Sequence, residues 1–272
     1  MPTRRDLLKA ASIGIAVAGM GLGLGWKRSA AEAPVKTFVL AHGSWHGGWC
    51  WRRVADRLRR LGHAVYTPSY TGLGDRSHLL NKEITLDTWI EDLIGVIQSE
   101  ELINVVLVGH SFGGVTISGT ADRISERIAH LVYLDGLILE SGKHSYSYLP
   151  PAVAEARIAA AARATNGLAI PVPDPLPAFW GLKEGTPDYD WVRRRLSPNP
   201  LRTSITPLIL RGPVGNGLPR TYVHCTRPSH PKLGDSRQLV RSWSGWNWID
   251  LAAPHDAMIT NPDDVVNILL RV

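Results

Sequence analysis

Residues 104–114 read Asn-Val-Val-Leu-Val-Gly-His-Ser-Phe-Gly-Gly, and few folds accommodate that order. The apolar, β-branched run 104–108 predicts a strand buried on both faces. It leads into Gly109-His110-Ser111-Phe112-Gly113, a G-x-S-x-G pattern, and then into 115–124, an apolar stretch with helix-compatible spacing. Strand, tight glycine-flanked turn and helix together present a nucleophile at the carboxyl end of a strand. Such a turn forces Ser111 into a strained backbone conformation, and glycine at 109 and 113 avoids a Cβ clash. Phe112 then offers its N–H at the start of the helix, where negative charge developing on an oxygen is held.

The rest of the chain alternates in the same way. Strands are expected at 35–41, 63–70, 129–135, 221–225 and 248–252, with Pro68 breaking the second of these. Helices are expected at about 51–61, stopped by Gly62, and at 86–99. A last helix opens at Asn261-Pro262-Asp263-Asp264, with asparagine as N-cap, proline at the first position and acids in the first turn. The expected fold class is α/β: a mostly parallel sheet of about six strands with helices on both faces. The core comprises residues 34–140 and 208–272. Between them, 141–207 is crowded with prolines around an Ala-rich helical stretch at 152–163, and reads as an inserted helical cap.

Ligands of such sheets bind beyond the carboxyl ends of the strands. Gly43, Ser44, Ser111, Asp135, Thr226 and His255 all fall there. A serine hydroxyl needs a base within hydrogen-bond reach. Of ten histidines, His255 stands in the loop between the last strand and the last helix, where a Ser-acid-His order on this kind of sheet places it. The acid that orients it usually follows the fifth strand, but 225–230 (Cys-Thr-Arg-Pro-Ser-His) holds no carboxylate. Asp135, at the tip of the fourth strand, is favoured, because an unpaired carboxylate in so apolar a run would be costly. Asp235 is the alternative. Asp256, next to His255, is expected to point away. The second oxyanion N–H is expected from Ser44, with His42 and Gly43 shaping the turn. His42 and His46 lie four apart without a third ligand or an HExxH pattern, so no metal site is expected.

Two segments bear on location and partners. Thr3-Arg4-Arg5-Asp6-Leu7-Leu8-Lys9, a Gly- and Ala-rich apolar run at 10–25, and Ala31-Glu32-Ala33 together read as a twin-arginine (Tat-type) signal peptide, residues 1–33, cleaved after Ala33. The expected location is periplasmic or secreted, with no stable membrane anchor after cleavage. Of the formal charge of +6, that segment carries +3, and the +3 left over argues against nucleic acid. Cys50 and Cys225 are read as two buried free thiols.

Taken together, these residues resemble the α/β-hydrolase superfamily. His42-Gly43-Ser44-Trp45-His46-Gly47-Gly48-Trp49-Cys50-Trp51 is more specific, and with Gly109–Gly114 and His255-Asp256-Ala257-Met258 it is similar to one branch. That branch holds plant methyl esterases, hydroxynitrile lyases and bacterial pyrethroid-hydrolase-like carboxylesterases. The resemblance spans about 35–272. It implies Ser111 as nucleophile, His255 as base, and the Ser44 and Phe112 N–H groups as oxyanion hole. It further implies a carboxylesterase acting on small hydrophobic or aromatic esters through an acyl-enzyme, without a cofactor. A hydroxynitrile-lyase-like or C–C-cleaving enzyme with the same triad, or a non-catalytic ligand-binding protein, are the alternatives. The similar lyases carry lysine after the histidine, where this chain has Asp256, which argues against lyase activity. Trp45, Trp49, Trp180 and Trp191 are candidates for an apolar pocket between core and cap.

Overall fold

The computed structural model describes residues 35–272; the expected signal peptide lies outside them. Residues Val35–Val272 form one compact unit. Its centre is a six-stranded sheet of β1 (Thr37–Ala41), β2 (Ala64–Tyr66), β3 (Val105–His110), β4 (Ile128–Leu134), β7 (Arg220–Cys225) and β8 (Trp246–Leu251). The spatial order is β2-β1-β3-β4-β7-β8, and every pair is parallel. A two-residue pair, β5 (Ala169–Ile170) with β6 (Asn199–Pro200), lies apart from it.

Side chains alternate along a strand, so each strand feeds both faces of the sheet. Phe38, Leu40, Val106, Val108, Val132, Leu134 and Val223 enter one apolar cluster. It is covered by α1 (Arg52–Arg60), α8 (Ala257–Thr260) and α9 (Pro262–Leu269). Val39, Val105, Leu107, Leu131, Tyr133 and Tyr222 enter the other. Helices α2 (Leu86–Ser99), α3 (Gly113–Ile124) and α7 (Gly234–Ser242) cover that face. The chain from 141 to 207 carries α4 (Pro151–Thr165), α5 (Pro187–Arg193) and α6 (Leu201–Ile205).

Three expectations are corrected. The second strand ends at Tyr66, not at residue 70, because beyond it the backbone serves other partners: Tyr70 N–H donates to His42 Nε2 at 3.1 Å. The last strand begins two residues early, at Trp246, since pairing with β7 starts at Arg220–Trp246. Asn261 does not cap α9 with its side chain; its Oδ1 accepts from Thr260 and its Nδ2 donates to Asp264 instead. Among the described residues no helix is long and apolar enough to cross a membrane. Cys50 and Cys225 are buried and free.

Candidate active site

The turn between β3 and α3 has the strain expected of it. Ser111 sits at φ +54. Its N–H donates to Leu134 O at 3.2 Å, and its carbonyl accepts from Leu137 N at 2.7 Å and Gly114 N at 3.0 Å, so the surroundings over-determine the conformation. A Cβ on Gly109 would lie 2.4 Å from the Gly113 carbonyl oxygen, and one on Gly43 would lie 2.8 Å from Ser111 Cβ. Both positions therefore require glycine, and the second brings the turn after β1 against the serine.

Asp135 leaves β4 at φ +42, with its N–H on Val223 O at 2.7 Å. Its Oδ2 accepts from His255 Nδ1 at 2.6 Å, with both side chains almost fully buried. The alternative acid, Asp235, is exposed at the start of α7, and the nitrogen it would have served is already occupied. The reason is local: the chain after β7 turns at Thr226–Ser229 without a carboxylate, while Asp135, the residue after β4, comes within hydrogen-bond reach of His255. That loop is tied to the 141–207 segment, since His255 N–H donates to Phe179 O at 3.0 Å.

Ser111, His255, Ser44 and Phe112 all line one cavity of ≈ 430 Å³. Neither the Ser44 nor the Phe112 N–H forms a hydrogen bond among the described residues, so both donors are free for a ligand. Trp45 and Trp180 line the cavity; Trp49 and Trp191 do not, and pair edge-on with each other at 5.1 Å. Trp45 is itself at φ +63, and its indole N–H reaches Pro171 O at 3.0 Å.

A buried polar cluster behind the site escaped the sequence reading. Asp256 points away from His255 Nδ1, as expected, but into the interior rather than to solvent. Its Oδ2 is 3.3 Å from His46 Nε2 and its Oδ1 is 3.8 Å from His110 Nε2. His46 Nδ1 donates to Ser44 O at 2.8 Å, since a carbonyl only accepts. His46 Nε2 therefore faces the carboxylate. His110 Nε2 likewise donates to His255 O at 3.0 Å. The cluster joins the turns that carry Ser44, Ser111 and His255. The only signal for it in the sequence is that its members stand beside those residues.

Ligand atoms of His110, His255 and Asp256 come within 4.8 Å of one another. His110 Nε2 and His255 Nδ1 are each spent on a protein oxygen. Removing one partner of a buried pair leaves the other uncompensated. Asp256→Ala is expected to lower stability by about 3 kcal/mol. His46→Ala alone also destabilises, and the double variant costs clearly less than the sum, as read from urea midpoints.

His42 is held down to about 3, chiefly by burial. His110 is pushed well below the ordinary value of 6.5 by burial and then by His255. The unfolded chain therefore binds protons that the folded chain refuses. The stability these rings contribute is complete above about pH 6.5 and is lost as pH falls toward 3. Each adds a slope of about 1.4 kcal/mol per pH unit within that window. Urea midpoints between pH 7 and 4.5 should show it, and His42→Gln should flatten the slope by one ring's share.

A second Ser-His-Asp chain lies on the surface. His224 bonds Asp250 through Nδ1 at 3.0 Å and Ser229 through Nε2 at 2.9 Å. Asp250 is 59% exposed and neither Ser229 nor His224 lines the cavity, so this array has the hydrogen bonds of a triad without its enclosure.

A strained serine on a strand-turn-helix, a histidine held by a buried aspartate, and two free backbone N–H groups in one cavity define a hydrolase-type site. Residues 38–268 match the model of the alpha/beta hydrolase family, and the chain belongs to that family. It is 39% identical over 240 residues to a carbendazim hydrolyzing esterase of Nocardioides sp., covering 85% of this chain and 97% of that one. Methylesterase 2 of Arabidopsis thaliana is 35% identical over 116 residues, 41% of this chain and 43% of that one. Among solved structures, an extracellular alpha/beta-hydrolase from a Paenibacillus species superposes with a TM-score of 0.71 at 22% identity. It covers 88% of this chain and 98% of that one.

Proposed function

We propose that the protein is a serine carboxylesterase in which Ser111 is the nucleophile, His255 the base and Asp135 the acid. The observation that carries the reading is the 2.6 Å bond from His255 to a fully buried Asp135, in a cavity shared with the strained Ser111. Asp135 fixes the proton on His255 Nδ1 and leaves Nε2 to take the Ser111 proton. Ser111 attacks the ester carbonyl, and the oxyanion is received by the N–H groups of Ser44 and Phe112. His255 returns the proton to the departing alcohol. Water, activated by the same ring, then cleaves the acyl-enzyme.

The likeness to an esterase over nearly the whole chain supports ester rather than C–C chemistry. The cavity walls include Trp45, Phe179, Trp180 and Leu137, which suits small hydrophobic or aromatic esters. Residues 141–207 serve as the cap over the core formed by 34–140 and 208–272. The test is turnover of short p-nitrophenyl esters by the purified chain, with fluorophosphonate labelling of Ser111. Release of cyanide from mandelonitrile without ester turnover would instead favour a lyase.

The twin-arginine pattern at Arg4-Arg5 supports export of the folded protein to the periplasm or beyond. N-terminal sequencing of exported protein is expected to begin at Pro34, and replacing both arginines with lysine to keep the protein in the cytoplasm. An unprocessed chain in the exported fraction would argue against the signal.

A further inference from the structure

The cavity has a second set of polar groups that the triad does not use. Arg157, from α4, and Lys232, from the turn Pro231–Leu233, both line it, together with Tyr146 and Ser204. Among the described residues neither Arg157 nor Lys232 has a carboxylate within ion-pair distance, whereas Arg53, Arg57, Arg76, Arg123, Arg193 and Arg202 each have one. Among the described residues Asp256 is the one carboxylate that lines the cavity, and it faces His46. Arg157 lies over the Tyr146 ring, 5.6 Å from its centre. Tyr146 is 4% exposed; burial raises its phenol while neighbouring Arg157 and Ser204 pull it back, and no hydrogen bond of ordinary geometry closes on its hydroxyl.

We propose that Arg157, Lys232 and Tyr146 form an anion subsite, so that the ester accepted here bears a carboxylate on the part of the molecule that is not cleaved. The inference rests on the esterase reading above and narrows its substrate class to half-esters with an apolar middle.

The physical argument is one of uncompensated groups. Two cations that share a partly desolvated cavity repel each other. The Lys232 ammonium is already lowered, first by burial and then by Arg157. A buried hydroxyl without a partner adds a further cost. One ligand carboxylate relieves all three. It takes the planar guanidinium, the ammonium and the phenol O–H as donors, and its hydrogen bonds are charge-assisted. Apolar walls with a few polar groups at one end hold a ligand in one orientation. Here they would place the ester bond at Ser111 and the carboxylate at Arg157 and Lys232. A neutral ester fills the same walls but leaves the cations unpaired.

The experiment compares matched esters with and without a distal carboxylate. On the acyl side the pair is p-nitrophenyl valerate and mono-p-nitrophenyl glutarate; on the alcohol side it is phenyl acetate and 4-acetoxybenzoate. The wild type is expected to favour the carboxylate member of at least one pair, by about tenfold or more in kcat/KM. Arg157→Ala and Lys232→Ala are each expected to reduce that anionic-to-neutral ratio by about tenfold, mainly through KM, and 0.5 M salt to erode it. Both side chains reach solvent, so the variants are expected to fold, and thermal melts check this. A ratio near one in both pairs, or one unchanged by the substitutions, overturns the subsite while the esterase reading stands. Calorimetry with glutarate separates the two ideas further. Binding that Arg157→Ala abolishes, in a protein that cleaves no ester, keeps the subsite and sinks the esterase reading. Neither binding nor turnover sinks both.

Discussion

Ser111→Ala is expected to lower kcat/KM for any ester the protein cleaves by about 10⁵-fold, with the fold intact. In the proposed mechanism the hydroxyl forms the acyl-enzyme, and alanine supplies no replacement. The residual rate comes from the oxyanion donors and from binding, which the variant retains. Folding survives because Ser111 makes its hydrogen bonds through its backbone N–H and carbonyl, and alanine keeps both. The positive φ is strained for serine and alanine alike. Ser229 supplies the internal control. It belongs to the surface Ser-His-Asp chain and lacks a cavity, so Ser229→Ala should change turnover by less than about twofold. Fluorophosphonate should label Ser111 in the wild type and nothing in Ser111→Ala. Persistent label on Ser229 in that variant would mean that the enclosed site is not the sole reactive one.

Asp135→Asn is expected to reduce kcat by about 10⁴-fold, while Asp235→Asn changes it by less than about twofold. Asparagine fits the space of Asp135 but carries no charge. Its amide can present an N–H to His255 Nδ1, which moves the ring proton to Nε2 and blocks proton transfer from Ser111. The loss should appear in kcat more than in KM, because substrate does not touch Asp135. Asp235 is exposed at the first turn of α7 and is not among the partners of His255. Equal effects of the two substitutions would mean that the observed 2.6 Å pairing is not the one that operates in turnover.

Much of this was legible in the sequence, for identifiable reasons. β3, Ser111 and α3 were readable because burial on both faces, strand-to-helix reversal and the demand for glycine at 109 and 113 are all local. The alternation of strands and helices followed from runs of fixed period. His255 was readable from chain order alone. Element ends were less so: Tyr70 and Trp246 fall where they do because of partners elsewhere in the chain, His42 in one case and β7 in the other. The tryptophans split for the same reason. Trp45 and Trp180 reach the cavity, while Trp49 and Trp191 pack on each other.

What the sequence by itself determined was the order of elements and the candidates for nucleophile and base, because strand burial, turn strain and connection order are properties of short segments. What only the tertiary structure decided was which aspartate pairs with His255, the buried cluster and the two cations in the cavity lining. Asp135 and His255 are 120 residues apart, and His46 and Asp256 are separated by most of the chain. Their pairing depends on β4 lying between β3 and β7 and on the loop after β8 folding back over it. A carboxylate choosing between two histidine-facing positions is settled by distance and desolvation, and neither exists until the sheet has closed.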